Sequence, residues 1–315
     1  IASCLVGSEM CIRDRNNIME NDSFEKLMYS IIIPHKNIPH LLQRCLDSIP
    51  QRKDVQIIII DDDSSPEIVD FVHFPGQNRT DVEVVFTKEE KGAGYARNCG
   101  LEKARGKWLL FADADDFFLP GFWNTLDIYC DTDYDLITFR AESVNSDTLK
   151  PVLPRQANYE KIAEDMDLEI LKYRNDVPWA KMISSVLVRK HCIRFDETIA
   201  ANDVMFAGYV DYYTHKAAAC SKSVYCATVR EDSLQYAVKL DTLLARVKVA
   251  CRYNQFLGDI GRIDKTLYSY SRVTDCRKHF GCRGYYKALC TYLRYERWRN
   301  IYITFMQLLK SKICK

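Results

Sequence analysis

The 315-residue sequence lacks the features that mark several protein classes. No run approaches the roughly 18 consecutive apolar residues of a membrane-spanning helix. Its 13 cysteines include no C-x-x-C pair, so neither a zinc site nor a disulfide framework is indicated, and free thiols in a reducing cytoplasm are expected. The formal net charge of +1 argues against a nucleic-acid partner. What is present is an ordinary globular composition, with 47% hydrophobic residues available for a core.

The first 28 residues differ from the rest of the chain. The stretch IASCLVGSEMCIRDR has no amphipathic period and lacks the basic-then-apolar order of a signal peptide. We interpret residues 1–28 as a non-native or disordered leader and leave them out of the fold prediction.

From Tyr29 onward, four apolar runs of strand length alternate with three segments of helical periodicity. Continuous rather than alternating apolar strands are typical of a parallel sheet that helices cover on both faces. The sequence therefore predicts an α/β fold with a doubly wound, mostly parallel sheet flanked by helices. In chain order the elements are a strand at 29–33, a helix from Pro39, a strand at 55–60, a helix from Pro66, a strand at 82–87, a helix at 94–104 and a strand at 107–112.

The second half of the chain has weaker patterns. They predict a strand at 135–140 that could run antiparallel, a helix at 159–171, a helix in the second half of RFDETIAANDVMFAGYVDYY and a strand at 223–229. From about Lys239 the chain is helical and basic. Residues 285–315 contain seven lysines and arginines against Glu296 alone, with aromatic residues between them.

Polar clusters follow three of the predicted strands. They are Pro34-His-Lys-Asn37, Asp61-Asp62-Asp63 and Asp113-Ala-Asp115-Asp116. Because open α/β sheets bind ligands outside the carboxyl ends of their strands, three clusters at one edge indicate a binding site. Alternation places Asp113 and Asp115 on one side, and Mg²⁺ uses one or two carboxylates together with substrate phosphates. Each acidic cluster could instead be a solvated turn.

The segment KGAGYARNCG adds a fourth feature. Gly92 and Gly94 permit close backbone approach at a helix start, where amides and the helix dipole favour phosphate. Arg97 and Asn98 could add donors. A simple turn and cap would explain the same glycines, since the full dinucleotide-binding fingerprint is absent.

The motif order S-I-I-I-P-x-x-N, I-I-I-I-D-D-x-S, K-G-x-G-Y-A-R-N-x-G and F-A-D-A-D-D resembles that of family 2 glycosyltransferases of the GT-A fold, bacterial surface-polysaccharide type. The resemblance is strong over 29–120 and continues weakly to about Ser233. It implies a GT-A catalytic domain at 29–235, with a nucleotide-binding half at 29–120 and an acceptor half at 121–235. A helical, basic C-terminal extension at 236–315 follows. The resemblance also implies a nucleotide-diphosphate sugar donor, usually a UDP-sugar, with Mn²⁺ or Mg²⁺.

The same resemblance assigns roles to individual residues. Pro34 and Asp62 would face the uracil, and Arg97 and Asn98 would lie near the donor. Asp115 or Asp116 would touch ribose and metal, and the sequence leaves that choice open. The complete predicted donor site is Pro34, Asn37, Asp62, Gly94, Arg97, Asn98, Asp113 and Asp115, with the metal on Asp115 and Asp116.

Members of this family also carry a Glu-Asp pair at the start of a later helix, whose Asp is the general base. The stretch FDETIAANDVMF provides Asn202-Asp203, so Asp203 matches the base and Asn202 departs from the usual Glu. A base needs only one carboxylate within reach of an acceptor hydroxyl, and Asp203 is therefore the predicted catalytic residue. The alternative for Asp203 is a carboxylate that offsets the helix dipole.

Trp179 and Lys181, in PWAKMI, resemble the acceptor-side segment of such enzymes. The alternative for them is a core tryptophan beside an exposed lysine. The basic and aromatic residues 285–315 predict a peripheral contact with an anionic membrane surface, or else a solvated face that packs on the catalytic domain.

The predicted function is metal-dependent, inverting transfer of a hexosyl or N-acetylhexosaminyl group from a UDP-sugar to a hydroxyl of a glycan or lipid-linked acceptor. The predicted location is the cytoplasm, with peripheral binding to the inner face of the cell membrane as an option. The predicted process is polysaccharide biosynthesis. One alternative is a catalytically inactive sugar-nucleotide-binding scaffold, which the Asn202 departure favours. A sugar nucleotidyltransferase is disfavoured because PHKNIPH is not a glycine-rich basic loop.

Overall fold

A computed structural model of the protein describes residues 27–153, 168–230, 239–265 and 269–302. Three sequence predictions fall wholly or largely outside these residues. They are the leader at 1–28 apart from its last two residues, most of the helix at 159–171, and the basic segment beyond residue 302.

The described residues form a central sheet with helices on both faces. The strands are β1 Tyr29–His35, β2 Val55–Asp62, β3 Val82–Thr87, β4 Trp108–Phe111, β5 Phe117–Phe118, β6 Leu136–Asn145, β7 Lys181–Ser184 and β8 Ala217–Val229. The helices are α1 Pro39–Asp47, α2 Ala93–Lys103, α3 Phe122–Leu126, α4 Leu168–Leu171, α5 Ser185–Lys190, α6 Val204–Tyr213, α7 Leu240–Asp259 and α8 Tyr270–Tyr295. Single 3-10 turns lie at Asp127–Tyr129 and Ile263–Lys265.

The strand order is β3-β2-β1-β4-β7-β6-β8-β5, and the first four strands are parallel. Every residue of β1 and β2 is buried, because their isoleucine runs face helices on both sides. Ile31 packs with Leu42 of α1 on one face, and Ile32 packs with Ala96 of α2 on the other. The prediction of a doubly wound, mostly parallel sheet is confirmed.

The helix predicted from Pro66 is wrong, because residues 66–81 form turns. Ile68 and Val69 donate to the Ser65 carbonyl, which makes one helical turn. The Asp70 carboxylate then accepts the N–H groups of Val72 and His73. A side chain that bonds its own neighbouring amides competes with helix continuation, and the chain turns away.

The second half of the sheet contains short elements that the sequence patterns did not reveal. Strand β7 lies between β4 and β6 and is antiparallel to both. The strand predicted at 135–140 extends to Asn145, antiparallel to β7 and parallel to β8. With four residues in β7 and two in β5, neither strand is long enough to show a period.

The predicted helical C-terminal region is present in the described residues as α7 and α8, with a kink in α8 at Gly281. Helix α7 packs directly on α6, since a Cβ on Gly208 would lie 2.6 Å from the Tyr253 ring. Val204 and Val249 share one buried cluster. Within the described residues, no helix is both long and apolar enough to cross a bilayer.

Candidate active site

At the carboxyl ends of β1 and β2, buried side chains tie the two loops together. His35 Nδ1 lies 2.7 Å from the Asp61 carboxylate, and Ile38 N–H donates to His35 Nε2 at 3.2 Å. Because Nε2 accepts, the proton of a neutral ring is on Nδ1 and is donated to Asp61. Burial would raise the pKa of Asp61, but hydrogen bonds from His35 and Ser64 hold it below its usual range. Asp61 therefore holds together the loops that follow β1 and β2.

Two predicted donor residues, Asn37 and Asp62, have partners in these loops. Asn37 has a φ of 57°, and its side-chain oxygen accepts the Ser65 N–H at 2.7 Å. The Asp62 carboxylate accepts the N–H groups of Gly92 at 2.7 Å and Lys91 at 3.3 Å. Both side chains therefore hold loops at the strand ends, beside the buried Pro34, and their direct contact with a donor stays a prediction.

Arg97 on α2 joins three of the sequence motifs. One terminal nitrogen donates to Asp113 Oδ1 at 2.5 Å, and the other donates to Asn202 Oδ1 at 2.8 Å. The guanidinium lies 5.3 Å from the centre of the Phe195 ring. Its Nε is buried without a hydrogen-bond partner in the described structure. The arginine thus connects the glycine-rich segment, the acidic cluster and the Asn202-Asp203 pair.

Asn98 and Gly94 hold the loop that leads to Asp203. The Asn98 side chain accepts the Phe195 N–H at 2.9 Å and donates to the Phe195 carbonyl at 3.0 Å. A Cβ on Gly94 would lie 2.1 Å from the carbonyl oxygen of Asp196. That loop is closed by a bond from Asp196 N–H to the Asn202 carbonyl at 3.0 Å. Gly94 is therefore required by the packing of this loop on α2.

The three carboxylates of the acidic cluster have different surroundings. Asp113 pairs with Arg97, and Asp115 Oδ2 lies 3.2 Å from Arg230 Nε. Asp116 is only 4% exposed, and its two oxygens accept from the Tyr225 hydroxyl at 2.9 Å and the Thr228 N–H at 2.6 Å. Burial and neighbouring carboxylates raise the pKa of Asp115, and raise that of Asp116 well above its usual range.

A divalent cation fits the two outer carboxylates but not Asp116. Asp113 and Asp115 each use one carboxylate oxygen for an ion pair with an arginine, which leaves the other oxygen for a metal. Both oxygens of Asp116 already accept hydrogen bonds. Within the described ranges, no group of three or more His, Cys, Asp or Glu side chains is arranged to hold a metal ion. Two carboxylates completed by substrate phosphates are a common Mg²⁺ ligand set.

Asp203 lies at the N-terminus of α6, but its side chain makes no capping hydrogen bond with the helix. Burial raises the pKa of Asp203 to about 6. The neighbouring charges of Asp176 and Asp113 contribute to this upward shift of the pKa, and the charge of Arg97 opposes it. Asp203 therefore shares one electrostatic environment with Arg97 and Asp113.

The weakly predicted acceptor residues are both buried. Trp179 stacks on Tyr225 with ring centres 5.2 Å apart, which agrees with the alternative of a core tryptophan. Lys181 is 4% exposed, so the exposed lysine of that alternative is wrong. Its Nζ donates to the Asn175 carbonyl at 2.5 Å. Burial lowers the pKa of Lys181, whereas nearby carboxylates raise it.

Sequence reasoning missed two carboxylates near Lys181. Asp211 is buried on α6 and accepts the Tyr173 N–H at 2.8 Å. Asp176 lies in the loop before β7, and its charge acts on both Asp203 and Lys181. No local motif surrounds either residue, so only their position in the fold reveals them.

The model of the glycosyl transferase family 2 matches residues 30–189, which is about half of the chain and includes all four motifs of the donor side. The chain belongs to glycosyl transferase family 2. This family 2 chain is 35% identical over 91 residues to a PGL/p-HBAD biosynthesis glycosyltransferase of Mycobacterium bovis (strain BCG / Pasteur 1173P2), covering 28% of the chain and 36% of that protein. It is 34% identical over 99 residues to the uncharacterized glycosyltransferase YibD of Escherichia coli K12, covering 31% of the chain and 28% of that protein. The match thus spans about a third of these relatives' length.

Solved structures of similar fold cover more of the family 2 chain. S. aureus TarS 1-349 in complex with UDP-GlcNAc has a TM-score of 0.66 at 19% identity, over 87% of this chain and 82% of that one. The mannosyltransferase PcManGT of Pyrobaculum calidifontis, in complex with GDP-Man and Mn²⁺, has a TM-score of 0.53 at 14% identity, over 93% and 83%. At these identities the likeness shows the fold, which is of the GT-A glycosyltransferase type, as predicted.

Proposed function

We propose that this protein transfers a sugar from a nucleotide-diphosphate donor to an acceptor hydroxyl with inversion, and that Asp203 is the general base. The observation that carries the proposal is the Asp203 carboxylate, which is free of a capping role and lies beside the Arg97–Asp113 pair. A pKa of about 6 makes it largely ionised at neutral pH and still able to accept a proton.

In the proposed reaction the acceptor oxygen attacks the anomeric carbon from the face opposite the diphosphate. The new carbon–oxygen bond forms as the bond to the diphosphate oxygen breaks, and the acceptor proton moves to the Asp203 carboxylate. The nucleoside diphosphate leaves with the bonding electron pair. No covalent enzyme intermediate is required, because one displacement inverts the anomeric centre.

Asp113 and Asp115 would hold the divalent metal, Mn²⁺ or Mg²⁺, through the oxygens that the arginines leave free. When bound, the metal would neutralise charge on the leaving diphosphate. Asp116 would not bind the metal but would fix the acidic loop to β8 through its hydrogen bonds with Tyr225 and Thr228. A UDP-sugar is the proposed donor, in line with the UDP-GlcNAc complex of the similar fold, although another such fold takes GDP-Man.

The departure at Asn202 favours an inactive sugar-nucleotide-binding scaffold as the second candidate. The geometry argues against this candidate, because the Asn202 amide oxygen accepts from Arg97 at 2.8 Å, a contact of the kind a glutamate carboxylate would make. The proton acceptor itself, Asp203, is retained.

Two measurements test the proposed function. Calorimetric titration of UDP with and without Mn²⁺, against GDP and dTDP, should give metal-dependent binding selective for UDP. A donor screen in a turnover assay should then give product, and Asp203→Asn should lower kcat about 10²–10⁴-fold while UDP binding is kept. No nucleotide binding by the folded protein would reject the transferase proposal, and unchanged turnover in Asp203→Asn would reject the base.

For the acceptor we propose a hydroxyl of a glycan or a lipid-linked glycan, reached by a protein that touches an anionic membrane surface. Support comes from the end of the described chain, where Trp298 is 81% and Tyr302 63% exposed beside the exposed Arg294, Arg297 and Arg299. Trp298→Ser/Tyr302→Ser should weaken sedimentation with phosphatidylglycerol vesicles. Phosphatidylcholine vesicles serve as the control, and unchanged sedimentation of the double variant would reject the membrane contact.

A further inference from the structure

Helices α7 and α8 border an open groove with a volume of about 360 Å³. This volume is at the lower end of the roughly 300–1,000 Å³ that is usual for ligand pockets. Of the described residues that line the groove, none belongs to the candidate active site. The side chains that define this α7/α8 groove include Leu244, Ala245 and Lys248 of α7 and Cys290, Arg294 and Tyr295 of α8.

Two cationic side chains of the groove lie against one aromatic ring. Lys248 Nζ is 5.1 Å and Arg294 Cζ is 5.7 Å from the centre of the Tyr295 ring, distances at which a ring attracts a cation. Within the part of the chain that the structure describes, neither cation makes a hydrogen bond or an ion pair, and no carboxylate lines the groove. The α7/α8 groove therefore holds two positive charges without a counter-charge.

The surface beside the groove is apolar and exposed. Tyr286 is 68% and Leu293 48% exposed, and both lie on the same face of α8 as Cys290, at helical spacings of four and three residues. Trp298, which follows shortly after the end of α8, is 81% exposed. Apolar and aromatic side chains next to cations are typical of a helix that lies in the membrane interface.

The charge of the surrounding chain favours an anionic occupant. Helix α8 carries six lysines and arginines against a single carboxylate, Asp275, which already pairs with Lys278 at 3.1 Å. Residues 303–315 contain three lysines and no Asp or Glu, so this segment has no carboxylate side chain to offer Lys248 and Arg294. Charge complementarity therefore favours an anionic molecule over this segment of the chain as the occupant of the groove.

We propose that the α7/α8 groove binds the phosphate headgroup of an anionic phospholipid. Lys248 and Arg294 would donate charged hydrogen bonds to the phosphate oxygens, and Leu244 and Ala245 would lie against the glycerol carbons. Trp298 would enter the membrane interface beside the bound lipid. The inference rests on the membrane contact in the proposed function, and it deepens that contact by naming the lipid group and the site that recognises it.

Alkylation of Cys290 reports occupancy of the groove, because this exposed thiol lines it. The full chain is treated with N-ethylmaleimide, with and without monomeric dihexanoyl phosphatidylglycerol, and the labelled peptides are quantified by mass spectrometry. At a lipid concentration about ten times the dissociation constant, Cys290 should be alkylated about tenfold more slowly. The exposed Cys192, which follows α5, is the internal control and should react at an unchanged rate.

Three outcomes of the labelling experiment would overturn the proposal. One is equal alkylation of Cys290 with and without dihexanoyl phosphatidylglycerol. Another is equal protection by glycerol phosphate, since the ligand would then be a soluble phosphate and not a lipid. The third is protection that grows with protein concentration in the absence of lipid, since a second copy of the chain would then cover the groove.

Substitution of the two cations provides an independent test. Lys248→Gln/Arg294→Gln should bind phosphatidylglycerol vesicles about tenfold more weakly, because it removes charged hydrogen bonds to the headgroup. The matched control, Arg283→Gln/Lys287→Gln, removes the same charge from exposed positions of α8 outside the groove, and only diffuse attraction to the surface is lost. Its binding should weaken less, and equal weakening of the two double variants would overturn the site. The thermal midpoint of each variant reports folding.

Failure of this inference can be told from failure of the proposed function. The labelling of Cys290 needs neither donor nor metal, whereas UDP titration and the Asp203→Asn turnover assay report only on sugar transfer. Vesicle binding by the unaltered protein with an unprotected Cys290 would reject the groove alone. A protected Cys290 in a protein that binds no nucleotide would reject sugar transfer and keep the lipid site.

Discussion

The Arg252 guanidinium holds the Asp196 carboxylate with both terminal nitrogens, at 2.7 and 3.3 Å. Asp196 begins the loop that ends at Asn202-Asp203, and its N–H closes that loop on the Asn202 carbonyl. An ion pair therefore connects helix α7 to the loop that carries the candidate base, in addition to the packing of α7 on α6. The domain boundary predicted at 236 lies outside the described residues and stays a prediction, and α7 packs against α6.

Arg252→Gln should lower kcat several-fold and leave UDP affinity unchanged, because the loop that carries Asp203 loosens while the donor contacts stay. A partly exposed pair contributes only about 0.2–1 kcal/mol, so the global stability should change little. Steady-state kinetics and UDP calorimetry measure the two effects. Arg297→Gln, which breaks the Asp259 pair elsewhere on α7, is the control, and an equal kcat in the two variants would contradict the link.

The acid limb of the kcat/KM profile should lie near pH 6. Burial raises the pKa of Asp203 to about 6, and the carboxylate must be ionised to accept the acceptor proton. Activity should therefore rise about tenfold per pH unit below pH 6 and level off above it. A plateau that extends down to pH 4.5 would show that Asp203 is not the base.

Asn202→Asp should move that acid limb to higher pH. The substitution is nearly isosteric and keeps an oxygen for Arg97, so the fold should be preserved. It adds a negative charge next to Asp203, and a like charge disfavours a second carboxylate ion. The limb should shift upward by up to about one pH unit. A pH titration of kcat/KM measures it, and a shift to lower pH would contradict the arrangement.

The parts of this structure that the sequence predicts correctly depend on local pattern. Isoleucine runs specify β1 and β2, and the polar residues after them lie at strand ends in any parallel sheet. The roles of Asn98, Gly94 and Asp62 depend on partners that are distant in sequence or across loops, such as Phe195 for Asn98. Their residue types are conspicuous in the sequence, but their contacts are not.

The burial of Lys181 and the coupling of Asp176 to Asp203 were not predictable for a related reason. Lys181 belongs to a strand of only four residues. Its position between β4 and β6 depends on tertiary contacts that the local sequence does not encode. The loop of Asp176 is positioned by Tyr173, whose carbonyl accepts from the Tyr253 hydroxyl of α7. Periodicity cannot report a contact between segments some 80 residues apart.

Asp203→Asn should stabilise the protein at pH 7.5 although it lowers the rate of transfer. The pKa of Asp203 is raised from 3.8 to about 6, so the folded state binds this proton more tightly than the unfolded state. The free-energy cost of burying the ionised Asp203 carboxylate is fully present above pH 6 and disappears as the pH falls toward 4. The gain should be about 1–2 kcal/mol at pH 7.5, since partial exposure reduces the full effect of the shift, and it should vanish at pH 4.

Urea unfolding at the two pH values measures this gain. Asp241→Asn, at an exposed carboxylate in the first turn of α7, is the control and should show no such pH-dependent gain. A pH-independent effect of Asp203→Asn would indicate that the carboxylate is not destabilised by burial.

Gly94→Ala should destabilise the protein by about 1–3 kcal/mol and lower its activity, because the new Cβ would lie 2.1 Å from the Asp196 carbonyl oxygen. In an unobstructed helix the same change has the opposite sign, since alanine favours helix over glycine by about 0.5–1 kcal/mol. Gly258→Ala on α7 provides that comparison, because its Cβ would meet only the flexible Arg297 side chain at 3.4 Å. Urea unfolding should therefore give shifts of opposite sign for the two variants. If both were stabilising, the 196–202 loop would not pack on α2 at Gly94, and Asp203 would lose the support that places it beside Arg97.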